Sequence, residues 1–145
     1  MSAELYHRAI VETAKETAEA ARLPAPDVTV EEDNPLCGDR IVLDLLFRDG
    51  RVAAVGHKTR GCLLTRAAAA VLARRVPGCA ASDLFRAIAS LQDLLEGRDG
   101  SPSWPELAMF APVRAVKSRH ECVLLPFRAL ERALASVPPA AERKP

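Results

Sequence analysis

Cysteine and aspartate side chains are the groups of this sequence whose types and spacing indicate chemistry. Cys37 and Asp39 stand two positions apart in the segment NPLCGDR, residues 34–40. Cys62 and Cys122 each stand where a predicted helix begins. A helix N-terminus favours a thiolate, which is the form of cysteine that binds metals and attacks sulfur. We therefore predict one metal or sulfur site, formed by Cys37, Asp39, Cys62 and Cys122.

The donor atoms of this set suit two kinds of metal site. Three thiolates and one carboxylate can complete a tetrahedral zinc site. The same set can hold a small iron–sulfur cluster, and we hypothesise that the oxygen ligand makes the cluster easier to release. An Asp39→Ala variant that retains a cluster more tightly would support that idea. The alternative is that the cysteines simply pack in the core. Cys79, which follows a Pro-Gly pair, is interpreted as incidental.

Other polar side chains near the cysteines could also bind a metal. His120 lies two residues before Cys122 and is a candidate fourth ligand. Glu121 is a candidate ligand or proton carrier, although an exposed acid at a helix start is the simpler interpretation. His57 precedes Cys62 closely enough to approach the site, but a structural role is favoured. A Cys–His hydrolase is the competing enzyme hypothesis, and no local motif supports it.

Three β-strands are expected to position the first two site residues. The strands are predicted from alternating or branched apolar residues at 27–31, 40–47 and 51–58. Asp49-Gly50 predicts a hairpin between the second and third strands. The result is an antiparallel meander with the Cys37 loop at its rim.

Helices are expected to position the remaining cysteines. They are predicted at residues 3–22, 62–75, 83–96 and 122–136, with one or two helical turns at 106–113. Ser82 is the predicted N-cap of the third long helix. Pro126 is expected in a first turn, because proline disrupts a helix interior, and this places Cys122 at or just before the helix start.

Length and composition limit the classes of protein. The 145 residues form one predicted domain, residues 1–138, with a flexible tail at 139–145. Twenty basic and 19 acidic residues argue against nucleic-acid binding. No apolar run could span a membrane and no signal-peptide pattern is present, so a cytoplasmic location is expected. The four cysteines form no CxxC pair, which excludes a zinc-finger pattern.

The order of these motifs resembles the IscU/SufU/NifU N-terminal scaffold family. The segment NPLCGDRIVLDLLFRDGRVAAV is followed by Gly61-Cys62 at an alanine-rich helix and by a cysteine that opens CVLLPFRALERAL. The resemblance covers about residues 3–136. It implies an α+β fold in which helices pack on one face of a three-stranded antiparallel sheet, with the metal site at one end.

The resemblance also implies roles for residues and partners. Cys37, Asp39, Cys62 and Cys122 match the family's ligand positions, and Cys37 matches the sulfur acceptor. Zinc or iron, and a transient [2Fe-2S] cluster, are the implied cofactors. A cysteine desulfurase and downstream iron–sulfur apoproteins or carriers are the implied partners, with the chain a monomer or weak homodimer.

Two features, at residue 121 and between the second and third site cysteines, bear on the branch of the family that the sequence resembles. Glu121 stands where IscU-like members carry a histidine, and the long gap between Cys62 and Cys122 favours the SufU-like branch. Leu63-Leu64 and an alanine run replace the small hydroxyl residues expected after the second cysteine.

Three functions are consistent with these residues. The favoured one is an iron–sulfur cluster assembly scaffold and sulfur acceptor, rather than a conventional enzyme. The first alternative is a zinc-dependent sulfurtransferase that relays sulfur without building a cluster. The second is a structural zinc-binding interaction module.

Overall fold

The computed structural model describes residues 3–98 and 100–136 of the chain, with side chains from Tyr6 onward. Its α-helices are α1 (Ala3–Ala14), α2 (Leu63–Arg75), α3 (Ala81–Glu96) and α4 (His120–Ala135). Its strands are β1 (Val28–Asn34), β2 (Asp39–Arg48) and β3 (Arg51–Arg60). Shorter 3₁₀ segments cover Lys15–Glu19, Pro105–Ala115 and Lys117–Arg119. The predicted α+β fold is confirmed, and the predicted tail at 139–145 lies outside the described residues.

The three strands form an antiparallel meander in the order β1-β2-β3. Val28 pairs with Leu45 and Leu43 pairs with His57, so β2 is the central strand. The predicted hairpin between β2 and β3 is confirmed: Asp49 and Gly50 both have positive φ, at 55° and 75°. Positive φ at two successive residues gives the turn that matches the twist of paired strands.

One face of the sheet is covered by helices. Helix α4 lies against β1 and β2, and α2 lies against β3 and also contacts α1 and α4. Ala67–Ala70 of α2 are buried, and their small side chains allow these elements to approach closely. Nothing among the described helices is both long enough and apolar enough to cross a bilayer.

The first helix is shorter than the predicted 3–22, because residues beyond it bind the sheet instead. Helix α1 ends at Ala14 and a 3₁₀ segment continues to Glu19. The carbonyl of Ala21 then accepts the His57 N–H at 3.1 Å. Leu23 N–H donates to the buried Asp44 carboxylate at 3.0 Å. These bonds to the sheet override the helix propensity of the sequence.

Two predicted helix starts are wrong by a few residues. Helix α3 begins at Ala81 rather than after Ser82, because Ala80 forms a bridge with Arg51 and its N–H donates to the Asp83 carboxylate. Helix α4 begins at His120, so Pro126 lies inside the helix rather than in its first turn. Pro126 donates no backbone hydrogen bond there, and it is buried in the core together with its neighbours.

Candidate metal centre

The four predicted site residues lie at the ends of three elements. Cys37 is exposed in the turn between β1 and β2, and Asp39 is buried as the first residue of β2. Cys62 is the N-cap residue of α2, and the buried Cys122 lies in the first turn of α4. All of them therefore lie at one end of the sheet and its covering helices.

Three of these side chains approach closely enough to share one ion. Cys37 Sγ lies 3.1 Å from Asp39 Oδ2 and 3.9 Å from Cys122 Sγ. The donor atoms of Cys37, Asp39 and Cys122 all lie within 4.8 Å of one another. The structure thus brings together donors from β2, α4 and the turn before β2.

The fourth residue, Cys62, borders this group of three. Its Sγ lies 3.7 Å from Asp39 Oδ2, although it falls outside the set whose members are mutually within 4.8 Å. Its backbone N–H donates to Asp39 Oδ1 at 3.1 Å, which joins the start of α2 to the start of β2. Cys62 therefore lies beside the same carboxylate as Cys37.

The Asp39 carboxylate is held from several sides. Thr65 donates its hydroxyl hydrogen to Oδ2 at 2.6 Å, and Gly61 packs so closely that a Cβ there would lie 2.5 Å from Oδ1. Burial opposes ionisation, but hydrogen bonds from Thr65, Cys37 and the Cys62 amide outweigh it, so the pKa of Asp39 lies below its ordinary value. The Asp39 carboxylate, which is the oxygen ligand of the candidate site, is therefore ionised near neutral pH.

The pKa of the Cys122 thiol, unlike that of Asp39, is shifted against ionisation. Burial, together with the charge and hydrogen bond of Cys62, raises the pKa of Cys122 to about 12, against a hydrogen bond from Arg119 that lowers it. The same contact raises the pKa of Arg119. Arg119 is thus the cation associated with the Cys122 thiol, and metal binding must displace the proton of that thiol.

Other candidate ligands are engaged elsewhere. His120 Nε2 lies 3.1 Å from the carbonyl oxygens of both Val113 and Arg114. Glu121 forms a two-bond ion pair with Arg128 at 3.0 and 2.9 Å. The structure therefore does not bring His120 or Glu121 into the group of thiols.

Two remaining residues also lie outside the group. His57 is buried and its Nδ1 lies 2.9 Å from Thr59 Oγ1, while burial lowers the pKa of His57. Cys79 donates its S–H to the Arg75 carbonyl at 3.3 Å. Neither side chain is among the described groups that could share an ion with the site.

Two residues of the site were missed from the sequence, namely Thr65 and Arg119. Each is three positions from a site cysteine on a helical segment, and side chains at that spacing lie on the same face of a helix. Leu63-Leu64 and the alanine run follow Cys62 as described, but Thr65, which lies between them, supplies a hydroxyl group to the site. The i, i+3 spacing was the signal that could have found both.

An apolar groove of about 450 Å³ opens beside Cys62 and Arg119. It is formed between α1, the start of α2 and the segment before α4. Its apolar lining includes Tyr6, Ile10, Leu64, Pro112 and Val116.

The donor set fits a metal ion. Three thiols and an ionised carboxylate are the ligand types that complete a tetrahedral zinc site and also ligate iron–sulfur clusters. Thr65 and the Cys62 amide already hydrogen-bond the carboxylate, and metal-binding carboxylates commonly have such support.

Comparison with known proteins links most of the chain to one group. A family described as the NifU-like N terminal domain matches residues 5–94. The chain is 24% identical over 134 residues to the iron–sulfur cluster assembly scaffold protein IscU of Thermotoga maritima, covering 92% of this chain and 94% of that protein. It is 24% identical over 110 residues to the zinc-dependent sulfurtransferase SufU of Bacillus subtilis, covering 74% and 75%.

Solved structures agree with this grouping. The N-terminal NifU-like protein from Brucella abortus superposes with a TM-score of 0.84 at 30% identity, covering 90% of this chain and 92% of that one. A SUF-system scaffold candidate from Fervidobacterium islandicum superposes with a TM-score of 0.82 at 22% identity, covering 87% and 93%, which concerns the fold alone.

Proposed function

The chain belongs to the NifU-like N-terminal domain family, and we propose that it is an iron–sulfur cluster assembly scaffold that accepts sulfur from a cysteine desulfurase. The observation that supports this most directly is the approach of the Cys37, Asp39 and Cys122 donor atoms to within 4.8 Å of one another. In this proposal Cys62 completes the ligand set, and the set holds zinc or iron. Residues 1–138 act as one domain in the cytoplasm, as a monomer or weak homodimer.

Cys37 is the proposed sulfur acceptor because it is the exposed thiol of the group. Its thiolate attacks the outer sulfur of a persulfide on the desulfurase. The sulfur–sulfur bond of the donor breaks, the donor cysteine leaves as a thiolate, and Cys37 becomes the persulfide. No external oxidant or reductant is needed for this exchange.

Labelled sulfur tests the acceptor role. With a cysteine desulfurase and ³⁵S-cysteine, wild-type protein should carry label that dithiothreitol removes. A Cys37→Ser variant should lose nearly all of it, whereas Cys79→Ser should keep it, because the Cys79 thiol is bonded to a helix carbonyl outside the site. Full labelling of the Cys37→Ser variant would contradict the assignment.

A zinc-dependent sulfur relay is the second candidate. The observation that favours it is the unequal exposure of the thiols: Cys37 is exposed and Cys122 is buried, an arrangement suited to carrying one sulfur atom at a time. Anaerobic reconstitution with ferrous iron and sulfide separates the two. Visible absorption from a [2Fe-2S] cluster that transfers to an apoprotein supports the scaffold, and sulfur transfer without absorption supports the relay.

A structural zinc module makes a third, distinct prediction. Such a module would bind zinc but would leave desulfurase turnover unchanged. Alanine production by the desulfurase, measured with and without this protein, therefore separates it from the other two candidates.

A further inference from the structure

Thr65 is the buried hydroxyl residue next to the candidate metal centre. Its side chain is fully buried, at 0% exposure, and its Oγ1 lies 2.6 Å from Asp39 Oδ2. Asp39 Oδ2 also lies 3.1 Å from Cys37 Sγ. Thr65 therefore contacts the one carboxylate oxygen that faces the thiols.

We infer that Thr65 is a positioning residue that holds Asp39 Oδ2 in place as a metal ligand. The inference rests on the proposed metal site, and it assigns to this chain a residue that neither binds the ion nor reacts with sulfur. Its role is to fix the direction of the carboxylate.

The contacts around Asp39 explain why one hydroxyl has this effect. Oδ1 is already fixed by the Cys62 N–H at 3.1 Å and by the close approach of Gly61. Thr65 binds Oδ2, so the two hydrogen bonds together oppose rotation of the carboxylate about its last torsion angle. Oδ2 also accepts a hydrogen bond from the Cys37 thiol at 3.1 Å, and loss of that thiol's proton on metal binding would open this acceptor site to the cation.

Thr65 also lies beside the second cysteine. Its Oγ1 is 3.5 Å from Cys62 Sγ, and a hydroxyl group has only one hydrogen to donate. Because that hydrogen is given to Asp39, Thr65 has no second hydrogen for Cys62, whose Sγ also lies 3.7 Å from Asp39 Oδ2. Thr65 thus contacts both side chains but donates only to Asp39, and valine, which has a similar shape, cannot make that bond.

Zinc affinity is the measurement. Loss of a residue that orients a metal ligand typically weakens metal binding about 10–100-fold. We expect Thr65→Val to weaken zinc binding at least about tenfold in competition with a chromophoric chelator, and Thr65→Ser to stay within about threefold of wild type. The visible bands of the Co²⁺-loaded protein should change in Thr65→Val and be restored in Thr65→Ser. Thr65→Ala is a second variant if the valine protein does not fold.

The chain offers a control in Thr29, an exposed residue of β1 that makes the same kind of bond to a buried carboxylate. Its Oγ1 donates at 2.6 Å to Oδ1 of Asp44, a fully buried carboxylate on the same strand as Asp39 but outside the thiol group. Thr29→Val removes the same kind of bond. It should lower stability but leave zinc affinity unchanged, which separates positioning from general loss of stability.

A double-mutant cycle completes the test. In an Asp39→Ala background, Thr65→Val should change zinc affinity less than threefold, since no carboxylate remains to be oriented. Wild-type affinity in Thr65→Val, or an equal loss in both backgrounds, would overturn the inference. Zinc competition requires no desulfurase, so a failed sulfur-transfer assay bears on the proposed function and not on Thr65.

Discussion

Cys37 and Cys122 are separated by 85 positions in the chain, yet their sulfur atoms lie 3.9 Å apart. The first lies in a turn before β2 and the second in the first turn of α4. Packing of α4 on β1 and β2 brings them together. The contact therefore exists only in the folded protein.

Mild oxidation should show whether the Cys37 and Cys122 sulfur atoms are neighbours in solution. When metal-free protein is treated with stoichiometric hydrogen peroxide, we expect a Cys37–Cys122 disulfide, because an oxidised exposed thiol condenses with a neighbouring thiol. Peptide mass spectrometry after alkylation measures the linkage. Zinc-loaded protein should resist the reaction, and dominant linkages to Cys79 would show that the two thiols are not neighbours in solution.

Gly61→Ala tests how closely Asp39 is confined. The new Cβ would lie 2.5 Å from Asp39 Oδ1, so the carboxylate must move. We expect zinc affinity to fall at least about tenfold and the free energy of unfolding to fall by about 1–3 kcal/mol. Chelator competition and urea denaturation measure the two effects.

The control for that variant is Gly78→Ala. Gly78 has φ +92°, and no atom lies within 4 Å of the point where a Cβ would stand, so alanine there causes backbone strain without a contact. It should lower stability and leave zinc affinity at the wild-type value. Equal loss of zinc affinity in both variants would mean that the effect of Gly61→Ala is not specific to Asp39.

Leu36 provides a test of partner docking. Its side chain is 96% exposed immediately before the proposed acceptor Cys37. If the desulfurase buries this side chain, Leu36→Asn should raise the protein's apparent KM in desulfurase stimulation at least about fivefold, the equivalent of about 1 kcal/mol. Zinc affinity should not change. An unaltered KM would place the docking contact elsewhere.

Asp44 gives a pH-dependent prediction. Burial raises the pKa of Asp44, but hydrogen bonds from Arg22, Thr29 and the Leu23 amide outweigh it, so the pKa lies below the ordinary value. A lowered carboxylate pKa contributes stability that is complete above about pH 4 and is lost as the pH falls through the folded-state pKa.

Asp44→Asn should therefore lose about 1–3 kcal/mol of stability near pH 7, because the charged hydrogen bonds are weakened. Its difference from wild type should shrink as the pH falls below about 4. Asp93→Asn, at an exposed ion pair with Arg98, is the control and should stay within about 0.5 kcal/mol of wild type. Urea denaturation across a range of about pH 2.5–7.5 measures both; a difference that grows with acid would contradict the assignment.

The sheet was predictable because its signals are local. Asp49-Gly50 adopts the positive φ angles that a two-residue hairpin requires, and β2 alternates or clusters branched apolar residues. The extension of β1 to Asn34 was not predictable, since residues 31–34 are all polar. Backbone pairing of Glu32 with Ile41 and of Asn34 with Asp39 stabilises this extension of the strand. Such pairing depends on the neighbouring strand and is not visible in the local sequence.

The thiol and carboxylate members of the candidate site were predictable, but their geometry and the contributions of Thr65 and Arg119 were not. Cysteine, aspartate and their motif identified the donor residues, but the position of Cys62 beside rather than inside the closest group depends on how α2 packs against the sheet. Likewise, nothing in the sequence indicates that His120 turns toward the carbonyls of Val113 and Arg114. Those carbonyls become acceptors only because the segment before α4 folds into 3₁₀ turns.

Cys37 is exposed, whereas Asp39 and Cys122 beside it are buried, and this difference limits how partner proteins could reach the site. If Cys37 is the sulfur acceptor, as proposed, sulfur is both received and passed on at the turn before β2. The protein that donates sulfur and the protein that receives it would therefore need to bind at the same turn, and they could not bind there at the same time. Binding of the sulfur donor and of the recipient protein would have to alternate. The dissociation rate of one partner would therefore limit how soon the next partner can bind.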